Sequence, residues 1–328
     1  MINSIRFERN RDEAYVQRVE KIAINPVFIM GLHRSGTTLL YELMGMTGLF
    51  NVLTAYHALC YDSLLANHFE GCSLQERQKL NDWFASLNME TRLIDNVKLN
   101  ADMPEEFGMV IHPRCGTMRV TPTSFPFFQQ ICRKVQITSD LSKILLLKNP
   151  WDFDGFLFLK SKLPQAKFIF IHRHPIHILD SQLKALHTYW SSPNPYISRL
   201  SNTYSVIQNN FLLRRIFRMA TDPSSKIPLL QIFLGLKISL SMKKYIQNIS
   251  SLPLSSYMSL RYEDLCENPK QVFKNIYEFV NLDPQQDLPF ERHIQPRPFK
   301  LHPALAGNLP AIKKRFEGCM AYHGYSQL

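Results

Sequence analysis

Four apolar residues, Val27–Met30, stop at Gly31, and five positions later Gly36 gives way to Thr37-Thr38-Leu39-Leu40. An unbroken apolar run of this length reads as a strand buried on both faces, followed by a tight turn and a helix start. The layout returns twice. Ile144–Leu147 runs into Lys148-Asn149-Pro150, and Lys167–Ile171 runs into His172-Arg173-His174-Pro175. Behind the latter, Ile176, Leu179, Leu183 and Leu186 recur at helical spacing, with Asp180 and Ser181 inside the same helix. Pro175 suits the first helical turn, where its missing N–H costs nothing. Short strands are expected near Phe50–Leu53 and at Tyr257–Tyr262, a helix from about Pro269 to Val280, and a last helix ending near Tyr322. Strands alternating with helices predict an α/β, three-layer, P-loop-like fold with a mostly parallel central sheet flanked by helices.

Outside that frame the pattern changes. Residues 1–25 read as an amphipathic N-terminal arm, and 26–328 as a single domain with a helical cap or insertion at about 203–248. Residues 61–140 hold helical pieces among several prolines, as an acceptor-binding wall would. In 203–248, Phe211, Leu212, Leu213, Ile216 and Phe217 interleave with Arg214, Arg215 and Arg218. A Pro-Ser-Ser break follows at Pro223–Ser225, and then the apolar stretch Ile227–Leu240, interrupted by Lys237. The segment reads as a buried helical hairpin with a solvated basic face. The functional alternative is a lid over an apolar acceptor, or a patch that touches a membrane surface.

The strand ends carry the chemistry. Gly31 and Gly36 let the backbone turn and approach a ligand, so Ser35, Gly36, Thr37 and Thr38 form a candidate phosphate-binding loop. The free N–H groups of the first helical turn point at an anion there, with the positive end of the helix dipole behind them. A loop built for ATP or GTP carries Lys before its last hydroxyl residue. Here Thr37 stands in that place, and the cation is earlier, at Arg34 beside His33. Ligands of open parallel sheets bind outside the carboxyl ends of strands. Three such ends bear Arg34, Lys148 and Arg173, and none bears an acid to hold Mg²⁺. Arg173 offers a forked donor and Ser181 a hydroxyl to a second phosphate. The set fits a ligand with several phosphates and no metal.

At these residues the chain resembles the sulfotransferases that use 3′-phosphoadenosine 5′-phosphosulfate (PAPS), in the branch with bacterial and protein-tyrosine sulfotransferases. Gly31–Leu40 resembles that family's 5′-phosphosulfate loop, and Phe170–Pro175 through Ser181 its 3′-phosphate site. Leu147-Lys148-Asn149-Pro150 is similar to its Leu-Lys-Ser-Pro segment, with Asn149 in the place of Ser. Arg261–Leu265 with Glu267-Asn268-Pro269, and Ala101–Glu106, resemble two further segments. His33 stands where Pro is frequent, and the C-terminal region lacks the Arg-Lys-Gly loop of cytosolic members. The resemblance implies transfer of a sulfuryl group from PAPS to a hydroxyl or amine, without metal, releasing adenosine 3′,5′-bisphosphate. It implies that Arg34, Lys148 and the loop hold the 5′ end and that Arg173 and Ser181 hold the 3′-phosphate.

A base must take the acceptor's proton. In the family that the chain resembles, a Glu often follows the first helix just after the next short strand, where this chain reads Thr54-Ala55-Tyr56-His57. His57 is therefore the first candidate, because imidazole titrates near neutrality. Glu105 and Glu106 are the next candidates and His112 a third; a hydrogen-bonded histidine and a helix-start acid pair are the structural alternatives. Glu263 and Asp264 read as helix-capping or Arg261-pairing acids, and Arg297, Lys300, Lys313 and Lys314 as tail cations within reach of a nucleotide.

Composition narrows the rest. A net charge of +11 favours an anionic ligand or surface, but the cations are scattered, which argues against nucleic acid. The six cysteines form neither zinc nor disulfide spacing, and the charged N-terminus has no apolar signal core, so a cytoplasmic compartment is expected, with peripheral membrane contact as a variant. The expected partner is a small-molecule or lipid-like acceptor. Two other functions compete: a small-molecule kinase with a divergent P-loop, and a nucleotide-binding protein that has lost catalysis.

Overall fold

Five strands make one sheet in the computed structural model: β1 (Val27–Met30), β2 (Phe50–Val52), β3 (Ile144–Lys148), β4 (Lys167–His172) and β5 (Tyr257–Arg261), in the order β2-β3-β1-β4-β5. The structure describes residues 10–93, 95, 97–222, 229–283, 288–294, 299 and 301–325. Every pairing between these strands is parallel. β1 is central and wholly buried, as its unbroken apolar run demands. Its side chains alternate between two cores. Phe28 and Met30 pack with Leu147, Phe168 and Phe170 under Phe107 and Phe128. Val27 and Ile29 pack on the other face with Leu40 and Met44 of α1 (Thr37–Met46) and with the Pro269–Val280 helix. The result is the expected three layers.

The register sets up the site. Ile29 pairs with Lys148, and Met30 with Phe170, so the carboxyl ends of β1, β3 and β4 finish on one edge. β5 ends at Arg261, and Tyr262 opens the Tyr262–Glu267 helix instead of closing the strand.

The described part of the N-terminal arm, from residue 10 onward, is docked. Arg11–Arg18 forms a 3₁₀ helix from which Asp12 reaches inward. Asp12 lies 2.6 Å from the Lys134 ammonium and accepts the Ala66 N–H at 3.0 Å, with both partners of the ion pair buried. Removing one member of a buried pair strands the other charge. Asp12→Ala is expected to cost about 3–5 kcal/mol of stability, read as a lower denaturation midpoint. An unchanged midpoint would mean that the arm does not contribute to the folded state.

Residues 203–248 fall in three helices, Asn202–Asn209, Phe211–Thr221 and Leu229–Asn248. The break at Pro223–Ser225 and the start of the second apolar run lie outside the described residues, as do Arg297 and Lys300. Leu229–Asn248 packs on the Pro175–Ser191 and Leu309–Tyr322 helices, burying Leu234, Ile238 and Met242. Phe211–Thr221 buries no residue at all, so of the two long apolar helices only Leu229–Asn248 is buried as a hairpin would require. Among the described residues, no helix is long and apolar enough to cross a membrane.

Candidate active site

The loop between β1 and α1 turns through two left-handed residues, Arg34 (φ +73°) and Gly36 (φ +103°). The Ser35 N–H closes the turn onto the Leu32 carbonyl at 3.0 Å. The glycines are needed for close approach. A Cβ on Gly31 would sit 2.5 Å from Ser35 Oγ and 2.7 Å from the Ile171 carbonyl, and one on Gly36 would enter the Tyr262 ring. Gly36 is the N-cap of α1, so the first N–H groups of that helix open toward the loop. Ser35 Oγ is buried there and has no hydrogen-bond partner among the described residues.

Three distant segments meet at this loop. Arg34 Nε donates to Ser181 Oγ at 2.9 Å, across 147 residues of sequence. Arg173 Nη1 donates to the Arg34 carbonyl at 3.2 Å, and its guanidinium lies 4.3 Å over the Tyr262 ring. Gln182 donates to the His33 carbonyl at 2.9 Å. The Pro175–Ser191 helix thus holds the loop through two adjacent side chains, Ser181 and Gln182. Asp180 pairs with Lys184 at 2.6 Å and accepts the His302 N–H, leaving Arg173 to the loop. Glu263 accepts the His174 N–H at 3.1 Å, and Asp264 pairs with Arg261.

Lys148 ends β3 at 1% exposure. Its ammonium donates to Thr38 Oγ1 at 3.1 Å and lies 3.0 Å from Glu106 Oε1. Burial pushes the Glu106 carboxyl up, but Lys148 and His33 outweigh it and hold the carboxyl below its usual range. His33 is pushed down to about 4 by burial, against the pull of Glu106 and with Lys148, Lys237 and Arg34 adding to the fall. It is therefore a neutral imidazole at neutral pH, packed edge-on to Trp151 with ring centroids 4.6 Å apart. Asn149 donates to the Met118 carbonyl at 2.7 Å and to Asp152 at 2.8 Å, fastening the turn after Lys148.

The base candidates separate sharply. Glu105 is buried against Arg92, 2.9 Å away, and the Tyr196 hydroxyl, and Arg92 also pairs with Asp95. Its neighbour Glu106, N-cap of the Phe107–Cys115 helix with extended backbone, reaches Lys148 instead. His57 is enclosed, and its Nδ1 accepts the Thr54 N–H at 3.0 Å in a capping box. Burial, with Arg77, pushes it down to about 3. With its lone pair given to the backbone, the His57 imidazole caps a helix. His112 is half-buried on the Phe107–Cys115 helix. Sequence reasoning gave no role to His33, Gln182 or Tyr262. An aromatic placed at a strand end beside an acid pair was the available signal for Tyr262.

The described geometry has relatives. The solved sulfotransferase STF9 of Mycobacterium avium superposes with a TM-score of 0.63 at 14% identity, covering 96% of this chain and 80% of that one. The sulfotransferase STF1 of Mycobacterium tuberculosis superposes with a TM-score of 0.57 at 16% identity, covering 94% and 80%. These likenesses carry the fold. The omega-hydroxy-beta-dihydromenaquinone-9 sulfotransferase Stf3 of Mycobacterium bovis is 25% identical over an alignment 300 residues long that covers 80% of this chain. The chain spans 64% of the length of that curated relative. A model described as the Sulfotransferase family matches residues 26–215, a stretch that begins at the residue before β1 and takes in the loop, Lys148, Arg173 and Ser181. That match runs through more than half of the chain, and the chain belongs to the sulfotransferase family.

Proposed function

We propose that this protein moves a sulfuryl group from PAPS to a hydroxyl or amine of a lipid-like small molecule and releases adenosine 3′,5′-bisphosphate. The observation that carries the reading is the meeting of Arg34, Arg173 and Ser181 at a helix N-terminus. Ser35 Oγ, buried and without a hydrogen-bond partner among the described residues, fits a phosphate or sulfate oxygen, and Gly31 and Gly36 let the loop close tightly against Ile171 and Tyr262. Bound there, PAPS supplies the sulfuryl group and a phosphate leaving group. Arg34, Lys148 and the amides of 35–38 oppose the charge that grows on that phosphate. Arg173 and Ser181 bind the 3′-phosphate. Glu106, held ionised by Lys148, takes the acceptor's proton. No metal takes part in this scheme. The name of the Stf3 relative, an omega-hydroxy-dihydromenaquinone sulfotransferase, supports a hydroxylated apolar acceptor for this chain as well.

Thermal denaturation tests the donor. A ligand that binds only the native state raises the melting temperature by mass action. Adenosine 3′,5′-bisphosphate without metal is expected to raise it, and ATP with Mg²⁺ is not. The reverse result would make the protein a divergent kinase, and a bisphosphate shift without turnover on any hydroxylated acceptor would make it a binding protein. Arg173→Ala is expected to weaken bisphosphate binding by about 1.5–3 kcal/mol, roughly 10–150-fold, the range for a hydrogen bond to a charged group. Unchanged affinity would remove Arg173 from the 3′-phosphate.

A further inference from the structure

The Phe211–Thr221 helix lies on the Pro175–Ser191 helix and is pinned there by Phe217, whose ring stacks on Trp190 with centroids 4.5 Å apart. Residues three and four apart share one side of a helix. Arg214, Phe217 and Thr221 form the inner row and are its half-buried members. Leu212, Ile216 and Met219 form the opposite row and are 52–64% exposed. Arg215 and Arg218 are exposed along its border. A second exposed apolar row, Phe233, Leu236 and Leu240, stands on Leu229–Asn248, which packs on the same Pro175–Ser191 helix. Single exposed apolar residues are ordinary, but aligned rows mark a surface that something covers.

Charge says what covers it. Residues 202–248 contain seven Lys and Arg against one acid, Asp222. A second copy of a chain carrying +11 would bring like charge to the same face. An apolar row edged by arginines is the pattern of a helix lying in a lipid–water interface, and anionic lipid meets the arginines.

We propose that the Phe211–Thr221 helix docks this protein on an anionic lipid bilayer, with Leu212, Ile216 and Met219 entering the acyl boundary and Arg215 and Arg218 against lipid phosphates. The Pro175–Ser191 helix beneath it carries Ser181, so docking brings the donor site to the surface in which an apolar acceptor dissolves. The link to the acceptor rests on the function proposed above; the docking does not, and its test reads binding instead of turnover.

The full-length protein is floated on a density gradient with phosphatidylcholine vesicles, with and without phosphatidylglycerol. It is expected to float with the phosphatidylglycerol vesicles and to do so less in high salt. The double variant Leu212→Asp, Ile216→Asp and the variant Arg215→Gln, Arg218→Gln should each reduce the bound fraction at least about tenfold. An unchanged melting temperature of the variants keeps a folding defect out of the comparison. The proposal is overturned if the protein stays at the bottom with anionic vesicles, or if the double Asp variant floats like the parent. It is equally overturned if light scattering shows a dimer that the double Asp variant dissociates, since a second copy then covers this face.

Discussion

Glu106→Gln is expected to lower kcat by about 10²–10⁴-fold, the scale on which a positioned base contributes, while bisphosphate affinity stays within about twofold, because Glu106 reaches the donor site only through Lys148. Gln keeps the volume and one acceptor oxygen beside Lys148 but cannot take a proton. His57→Ala is the contrasting variant. It should leave kcat near the parent value and cost about 1 kcal/mol of stability, the worth of a helix cap. If His57→Ala abolished turnover and Glu106→Gln did not, the roles assigned here would be reversed. The pH profile gives a second check. Lys148 and His33 hold the Glu106 carboxyl below its usual range, so the base is ionised at neutral pH. kcat/KM should then be flat through neutrality on its acid side and fall only as pH drops through that lowered value.

Lys148→Met is expected to cost about 10²–10³-fold in kcat, the loss seen when one preorganised donor to developing charge is removed. Its ammonium, almost fully enclosed at 1% exposure, faces both Thr38 of the loop helix and Glu106. Water cannot screen a charge held in that way. The variant also leaves the Glu106 carboxylate without its nearest cation. Burial then dominates, and the acid limb of kcat/KM should move up toward neutral pH, opposite to the parent's displacement. A fall in kcat with no movement of the limb would separate Lys148 from Glu106. No fall at all would remove Lys148 from the transition state.

Much of the site was legible at the level of single segments. The Gly31–Thr38 loop, the cations ending β3 and β4, and Ser181 within a helix are local patterns, set by apolar periodicity and by the turn that glycine allows. What the chain does with adjacent acids was not. Glu105 and Glu106 are neighbours in a Pro-Glu-Glu stretch, yet one is buried against Arg92 and Tyr196 and the other reaches Lys148. Neighbouring residues of extended backbone point to opposite sides, and only packing says which side holds the pocket.

The sequence by itself therefore determined the strands, the loop and the placing of cations at the strand ends, because those follow from interactions among residues a few positions apart. The tertiary structure decided which of them act together. Arg34 meets Ser181 across 147 residues, and Arg173 meets the Arg34 carbonyl across 139. That meeting depends on β1 lying between β3 and β4, a sheet order set by the packing of two whole hydrophobic layers. The same packing enclosed His57 and left Leu212, Ile216 and Met219 facing outward, since burial is settled by what lies opposite a side chain and not by its own identity.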